Sequence, residues 1–212
     1  MLSVSLIERT LETRDYDRIL RDLADNGMEI PLSLRLRLGQ SPVAPMALAL
    51  RRLVELTYGP TQLSRQLVDR LLVSQGPEGG FAADSEHDRD PLVTAAVLAG
   101  LERVAADHPA TADDELLAAL DRGYAALAEL QDCDGLFSSP SDRSLADRAM
   151  TSAFILSLLG SEARFRGAVR MSELFRWFDI HEGRLDRHTQ HLWDLASITS
   201  SHTEVEPLVF AA

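Results

Sequence analysis

The chain has 212 residues, 45% hydrophobic and 25% charged, the balance of an ordinary globular protein with one sizeable core or at most two small ones. Its net charge of −12 argues against nucleic acid and anionic membrane as partners, because both select a basic surface. A single cysteine, Cys133, excludes an internal disulfide and zinc motifs built on paired cysteines. No apolar run reaches the length of a membrane span and no secretory leader pattern opens the chain, so a cytoplasmic protein is expected.

Helical periodicity dominates the chain. The first exception comes early. In "PLSLRLRLGQ" (31–40), Leu32, Leu34, Leu36 and Leu38 alternate with Ser33, Arg35 and Arg37. Period two predicts an extended arm or short strand with one greasy face; a short helix or packed loop is the alternative. Residues 61–75, "TQLSRQLVDRLLVSQ", then place Leu63, Leu67, Leu71 and Leu72 on one face, the pattern of an amphipathic surface helix. "DPLVTAAVLAGL" (90–101) is apolar or small nearly all round, so it predicts a helix buried on most sides. A second wet helix follows at 113–131, with acidic residues in its first turn where the helix dipole favours them. A second dry one follows at 147–160.

Glycines mark the joints. Gly27, Gly79, Gly135 and Gly183 each follow a predicted wet helix, at intervals of 52, 56 and 48 residues. A period of roughly 50 residues with one helix pair per unit is a helical-repeat signature. The outer copies, "LADNGMEI" and "WFDIHEGRL", are degenerate, as terminal repeats often are. The two central joints read "LLVSQGPEGGF" (71–81) and "LAELQDCDGLF" (127–137). A helix leaves carbonyls unpaired at its C-terminus, and glycine can adopt the left-handed conformation that closes this end. Gln75 and Gln131 can bridge backbone groups there, and Phe81 and Phe137 can plug between neighbouring helices. A helix stop with an aromatic wedge accounts for these residues taken singly.

As a pair, Gln75-x-x-x-Gly79-x-Phe81 and Gln131-x-x-x-Gly135-x-Phe137 resemble the QW-type repeats of squalene and hopene cyclases and of protein prenyltransferase β subunits. The small-residue helices that follow, with Thr94-Ala95-Ala96 and Thr151-Ser152-Ala153, are similar to the family pattern too. The resemblance is good over about residues 60–160 and faint on either side. It implies an all-α fold of the α/α-toroid type, with dry helices inside around a hollow and wet helices outside. One helical-repeat domain over 1–212 is expected, with about three and a half to four helix pairs. That is too few to close the family's ring. Bare apolar helix edges mark contact surfaces, so a homodimer or a heteromer is expected.

The resemblance also directs attention to candidate site residues. Class II cyclases protonate an alkene with an Asp-x-Asp-Asp-Thr-Ala acid. Asp88 and Asp90 in "DRDPLVTAA" match the first two aspartates in spacing, but Pro91 stands where the next would be. Asp90 before a proline is equally a helix N-cap. Asp147 stands four residues before Thr151, as Asp90 stands four before Thr94; a solvated first-turn acid is its alternative role. The candidate catalytic residues are thus Asp90 and Asp147. His87, beside Asp88, reads as a loop histidine before a proton relay. Prenyltransferases hold zinc with an aspartate, a cysteine and a histidine, and Cys133, in a turn, does not fit that set. The Asp-rich magnesium clamp of class I terpene synthases is missing, and aromatics are 6% of the chain, sparse for a pocket that stabilises carbocations. In "LDRHTQHLWDL", His188 and His191 share a predicted helix face with Trp193 and Asp194 near; they read as partly buried residues of a last dry helix before they read as metal ligands with Asp186. No resident metal or cofactor is expected. Candidate ligand-binding residues are Asp88, Thr94, Thr151, His188, His191 and Trp193.

Two functions compete at this point. One is a binding or accessory protein whose hollow holds an apolar small molecule, an isoprenoid on the resemblance, or a segment of a partner protein. The other is a small cyclase or prenyltransferase-type enzyme with an aspartate general acid. A structural assembly subunit without a ligand is the third possibility.

Overall fold

A computed structural model of the chain describes residues 30–56, 61–82, 89–109 and 112–201. Gly27, His87 and Asp88 lie outside them. The described residues are mostly helical and contain no strand beyond one isolated antiparallel bridge between Gln131 and Phe137. The chain divides into two compact units, Met1–Leu127 and Ala128–Ala212.

In the first unit, helix α1 is Leu32–Leu38, α2 is Ala44–Leu56, α3 is Gln62–Val73 and α4 is Pro91–Asp107; α5, Asp114–Glu129, closes it. The leucine run is therefore a helix, which corrects the extended arm or strand expected at 31–40. Leu34 and Leu38 are buried while Leu32 and Leu36 are 69% and 62% exposed. Each pair is spaced i, i+4, so each occupies one side of the helix. Over seven residues, strict alternation satisfies a helix as well as a strand.

Helix α4 is the core of this unit: residues 91–102 and Val104 are all buried. Helix α2 packs on it, and α3 packs on α2. The small residues of α4 make the approach close. A Cβ on Gly100 would stand 2.7 Å from the Ala47 carbonyl oxygen, and one on Gly123 of α5 would stand 2.5 Å from a Leu98 methyl. Helix α3 buries Leu63, Leu67 and Leu71 and exposes its polar side; its start is fixed by a capping box between Thr61 and Ser64.

The second unit contains α6 (Leu145–Leu159), α7 (Ala163–Ala168), α8 (Met171–His181), a 3-10 turn at Glu182–Arg184, and α9 (Arg187–Ser201). Helix α6 is its dry helix, with Ala149, Thr151–Leu156, Leu158 and Leu159 buried. Helix α9 packs against it. It does so as an amphipathic helix and not as the dry one expected: Thr189, Leu192, Trp193 and Ala196 are buried, whereas His188 and His191 are exposed. Gly183 lies in the 3-10 turn without a positive φ and with open space around it. It plays no part comparable to that of Gly79 and Gly135.

Candidate functional site

The two glutamine turns share one design, each built within its own unit. Gly79 and Gly135 have φ of +84° and +91°, the left-handed region that glycine tolerates best. The Gln75 amide donates to the Gly79 carbonyl at 2.8 Å, and the Gln131 amide donates to the Gly135 carbonyl at 2.8 Å. Each amide also reaches a later part of its unit. Gln75 donates to the Ala119 carbonyl of α5 at 2.8 Å, and its oxygen accepts from the Arg122 guanidinium. Gln131 donates to the Arg170 carbonyl just before α8, at 3.3 Å, and its oxygen accepts from the Arg170 N–H at 2.8 Å. The glycines abut those same places: a Cβ on Gly79 would meet the Arg122 backbone at 2.4 Å, and one on Gly135 the Glu173–Leu174 peptide at 2.6 Å. An acid before each glycine pairs with an arginine near the start of the dry helix, Glu78 with Arg89 at 3.2 Å and Asp134 with Arg148 at 2.9 Å. Each turn is thus tied to a later segment of its own unit, and Phe81 and Phe137 are fully buried.

The candidate hydroxyls lie beside these turns. Thr94 Oγ1 accepts from the Phe81 N–H at 3.0 Å. Its counterpart is Ser152, not Thr151, accepting from the Phe137 N–H at 2.8 Å. The hydroxyl stands 13 residues after the phenylalanine in the first copy and 15 after it in the second, because Ser152 lies one turn deeper in α6 than Thr94 does in α4. Thr151 is fully buried and donates to Asp142 at 3.0 Å.

The candidate acids lie at helix starts. Asp90 is 3% exposed and is the N-cap of α4, its Oδ1 accepting from the Leu92 and Val93 N–H groups at 2.8 and 3.0 Å. Asp147 stands in the first turn of α6: its N–H donates to the Ser144 hydroxyl that caps the helix, and its Oδ2 accepts from the Arg143 N–H and the Ser144 hydroxyl. Trp193 belongs to the core, stacked on Phe178 at 4.6 Å and set edge-on to Phe175 at 5.1 Å. Cys133 is exposed. Among the described residues no group of three or more His, Cys, Asp and Glu side chains is placed to hold a metal ion.

The second unit also contains a cleft of about 260 Å³ where α6, α8 and the start of α9 meet. Leu145, Ala146, Ala149, Trp177 and Leu185 supply its apolar walls; His181, Arg184, Asp186 and Thr189 supply its polar groups. The His181 ring lies flat on Trp177, with centroids 4.2 Å apart and planes 14° apart. Its Nδ1 is 2.8 Å from the Trp177 carbonyl oxygen. A carbonyl can only accept, so Nδ1 carries the proton and Nε2 is the nitrogen left to the cleft's chemistry. Trp177 and His181 are four apart on one helix, a spacing visible in "WFDIH" that carries no acid or zinc-ligand pattern.

Asp186 anchors the start of α9. Its Oδ1 accepts from the His188 and Thr189 N–H groups at 2.9 and 3.1 Å, and its Oδ2 from the Thr189 hydroxyl at 2.6 Å. Burial pushes its carboxyl up, but these three hydrogen bonds and the nearby His188 outweigh it and hold it below the usual aspartate range. A carboxyl lowered on folding stabilises the fold above its unfolded value, about 3.9, and loses that contribution as pH falls through the lower folded value. Asp186 is largely exposed, so solvent screening limits the contribution to less than about 1 kcal/mol. Urea melts of the native chain and of Asp186→Asn are expected to differ at pH 7 and to converge below pH 3. A gap that widens on acidification would refute this role.

Compared with known proteins, the chain matches no family model, no curated protein and no solved structure.

Proposed function

We propose that the chain is a helical-repeat binding protein of the α/α-toroid kind that its glutamine turns resemble, and that it holds a small apolar ligand without transforming it. The repeat reading is supported by the two turns, whose glutamine, glycine and phenylalanine recur at an offset of 56 residues with the same glutamine-to-glycine hydrogen bond. The resemblance supports an isoprenoid as the kind of ligand. Exposed Leu32 and Leu36 support assembly with another chain.

The observation that carries binding over catalysis is the employment of Asp90. A protonating acid must present a free carboxyl to the substrate. Asp90 Oδ1 instead accepts two backbone N–H groups that the first turn of α4 would otherwise leave unpaired. Asp147 is similarly committed at the start of α6.

Asparagine and aspartate cap helices about equally well, whereas alanine loses the cap. Asp90→Asn is therefore expected to melt near the native temperature, and Asp90→Ala to lose about 1–2 kcal/mol. In parallel, the native chain is incubated with geraniol, with farnesyl diphosphate and with squalene. Retention on equilibrium dialysis without a product by mass spectrometry is the expected result. A product formed by the native chain and lost in a fully folded Asp90→Asn would overturn the binding reading and establish the cyclase or prenyltransferase one.

A further inference from the structure

The cleft of the second unit is lined by one arginine and one aspartate. The protein carries −12 overall, yet the group in the cleft left to receive a ligand is a cation. Among the described residues Arg184 makes no ion pair or hydrogen bond. The acid beside it, Asp186, has both oxygens engaged by three donors at the start of α9. His181 is held by its Nδ1 proton and its stack on Trp177, which leaves Nε2 to accept a proton or a hydrogen bond. Around these polar groups the walls are Leu145, Ala146, Ala149, Leu185 and the indole of Trp177.

We propose that this cleft binds a small apolar carboxylate, its hydrocarbon part against Leu145, Ala149 and Trp177 and its carboxylate on Arg184. The proposal rests on the binding reading above and names the ligand's chemical class. A guanidinium pairs with a carboxylate through two parallel N–H donors, which gives the site orientation as well as attraction. A phosphate ester is the poorer fit: it brings about −1.5 to −2 of charge at neutral pH to a place with one arginine and a standing aspartate. The volume sets the size. Drug-sized ligands occupy roughly 300–1,000 Å³. A cleft of about 260 Å³ takes one or two fused rings or a short branched chain.

The test uses the full chain, with naphthoate as probe, its neutral isostere naphthamide, and geraniol as an uncharged isoprenoid. Binding is read from the Trp177 indole resonance in two-dimensional NMR, with buried Trp193 as an internal reference. Naphthoate is expected to shift Trp177 and to bind Arg184→Gln about tenfold more weakly, while naphthamide binds both chains alike. Ala146→Trp, at an exposed wall position, is expected to abolish both without changing the melting temperature. Naphthoate binding that ignores Arg184→Gln or Ala146→Trp overturns the proposal. Geraniol shifting the cleft residues while naphthoate does not overturns the carboxylate and leaves the binding reading standing. No shift with any of the three at millimolar concentration overturns both.

Discussion

Leu34→Arg is expected to destabilise the chain by about 4 kcal/mol or more, and Leu36→Arg by less than about 0.5 kcal/mol. The two leucines are two residues apart on α1, and that places them on opposite sides of the helix. Leu34 is fully buried and Leu36 is 62% exposed. Replacing Leu34 removes a buried side chain and sets an unpaired charge in its place, and neither loss has a local remedy. Replacing Leu36 puts a charge where water already is. Denaturant melts measure both. Equal costs at the two positions would show that α1 does not face the core as described. Leu36→Arg also tests the proposed assembly, since it is expected to lower the mass measured by light scattering while leaving the fold intact. The same experiment with Leu34 would report only unfolding, so Leu32 and Leu36 are the pair to vary.

Gly135→Ala is expected to cost about 3 kcal/mol and to lower the melting temperature by roughly 6–12 °C. Two penalties combine. Alanine at φ +91° loses about 1–2 kcal/mol to the clash of Cβ with its own backbone. The new Cβ would also stand 2.6 Å from the peptide between Glu173 and Leu174, backbone that cannot swing aside as a flexible side chain can. Gly79→Ala should behave similarly, because its Cβ would meet the Arg122 carbonyl at 2.4 Å. Gly183→Ala is the control. It has ordinary φ and nothing within 4 Å, so its effect is expected to stay within about 0.5 kcal/mol. A cost at Gly183 matching that at Gly135 would overturn the distinction drawn between them.

Much of the local architecture is legible in residue order because its causes are local. The faces of α3 and α5 follow from leucines at helical spacing, and the burial of α4 and α6 follows from their lack of any polar stripe. Gln75, Gly79 and Phe81, with Gln131, Gly135 and Phe137, announced two helix stops, because a positive φ and a C-terminal amide are demands of the turn itself. Asp90 before Pro91 could be read as a cap for the same reason. Tertiary structure decided what depends on residues distant in the chain. The leucines of α1 satisfied two periodicities at once, and only the environment of Leu34 and Leu38 selects the helix. Ser152 displaced Thr151 as the partner of Phe137 because α6 meets its turn about one helical turn deeper than α4 does, a difference of packing that composition does not record. His188 and His191 took the wet side of α9 once Leu192, Trp193 and Ala196 had taken the buried one. The cleft draws Leu145 and Ala149 from one helix and Trp177, His181 and Arg184 from some thirty residues later. Such a site exists only when helices pack, because its chemistry lies in distances between side chains whose separation along the chain sets no limit on how they meet.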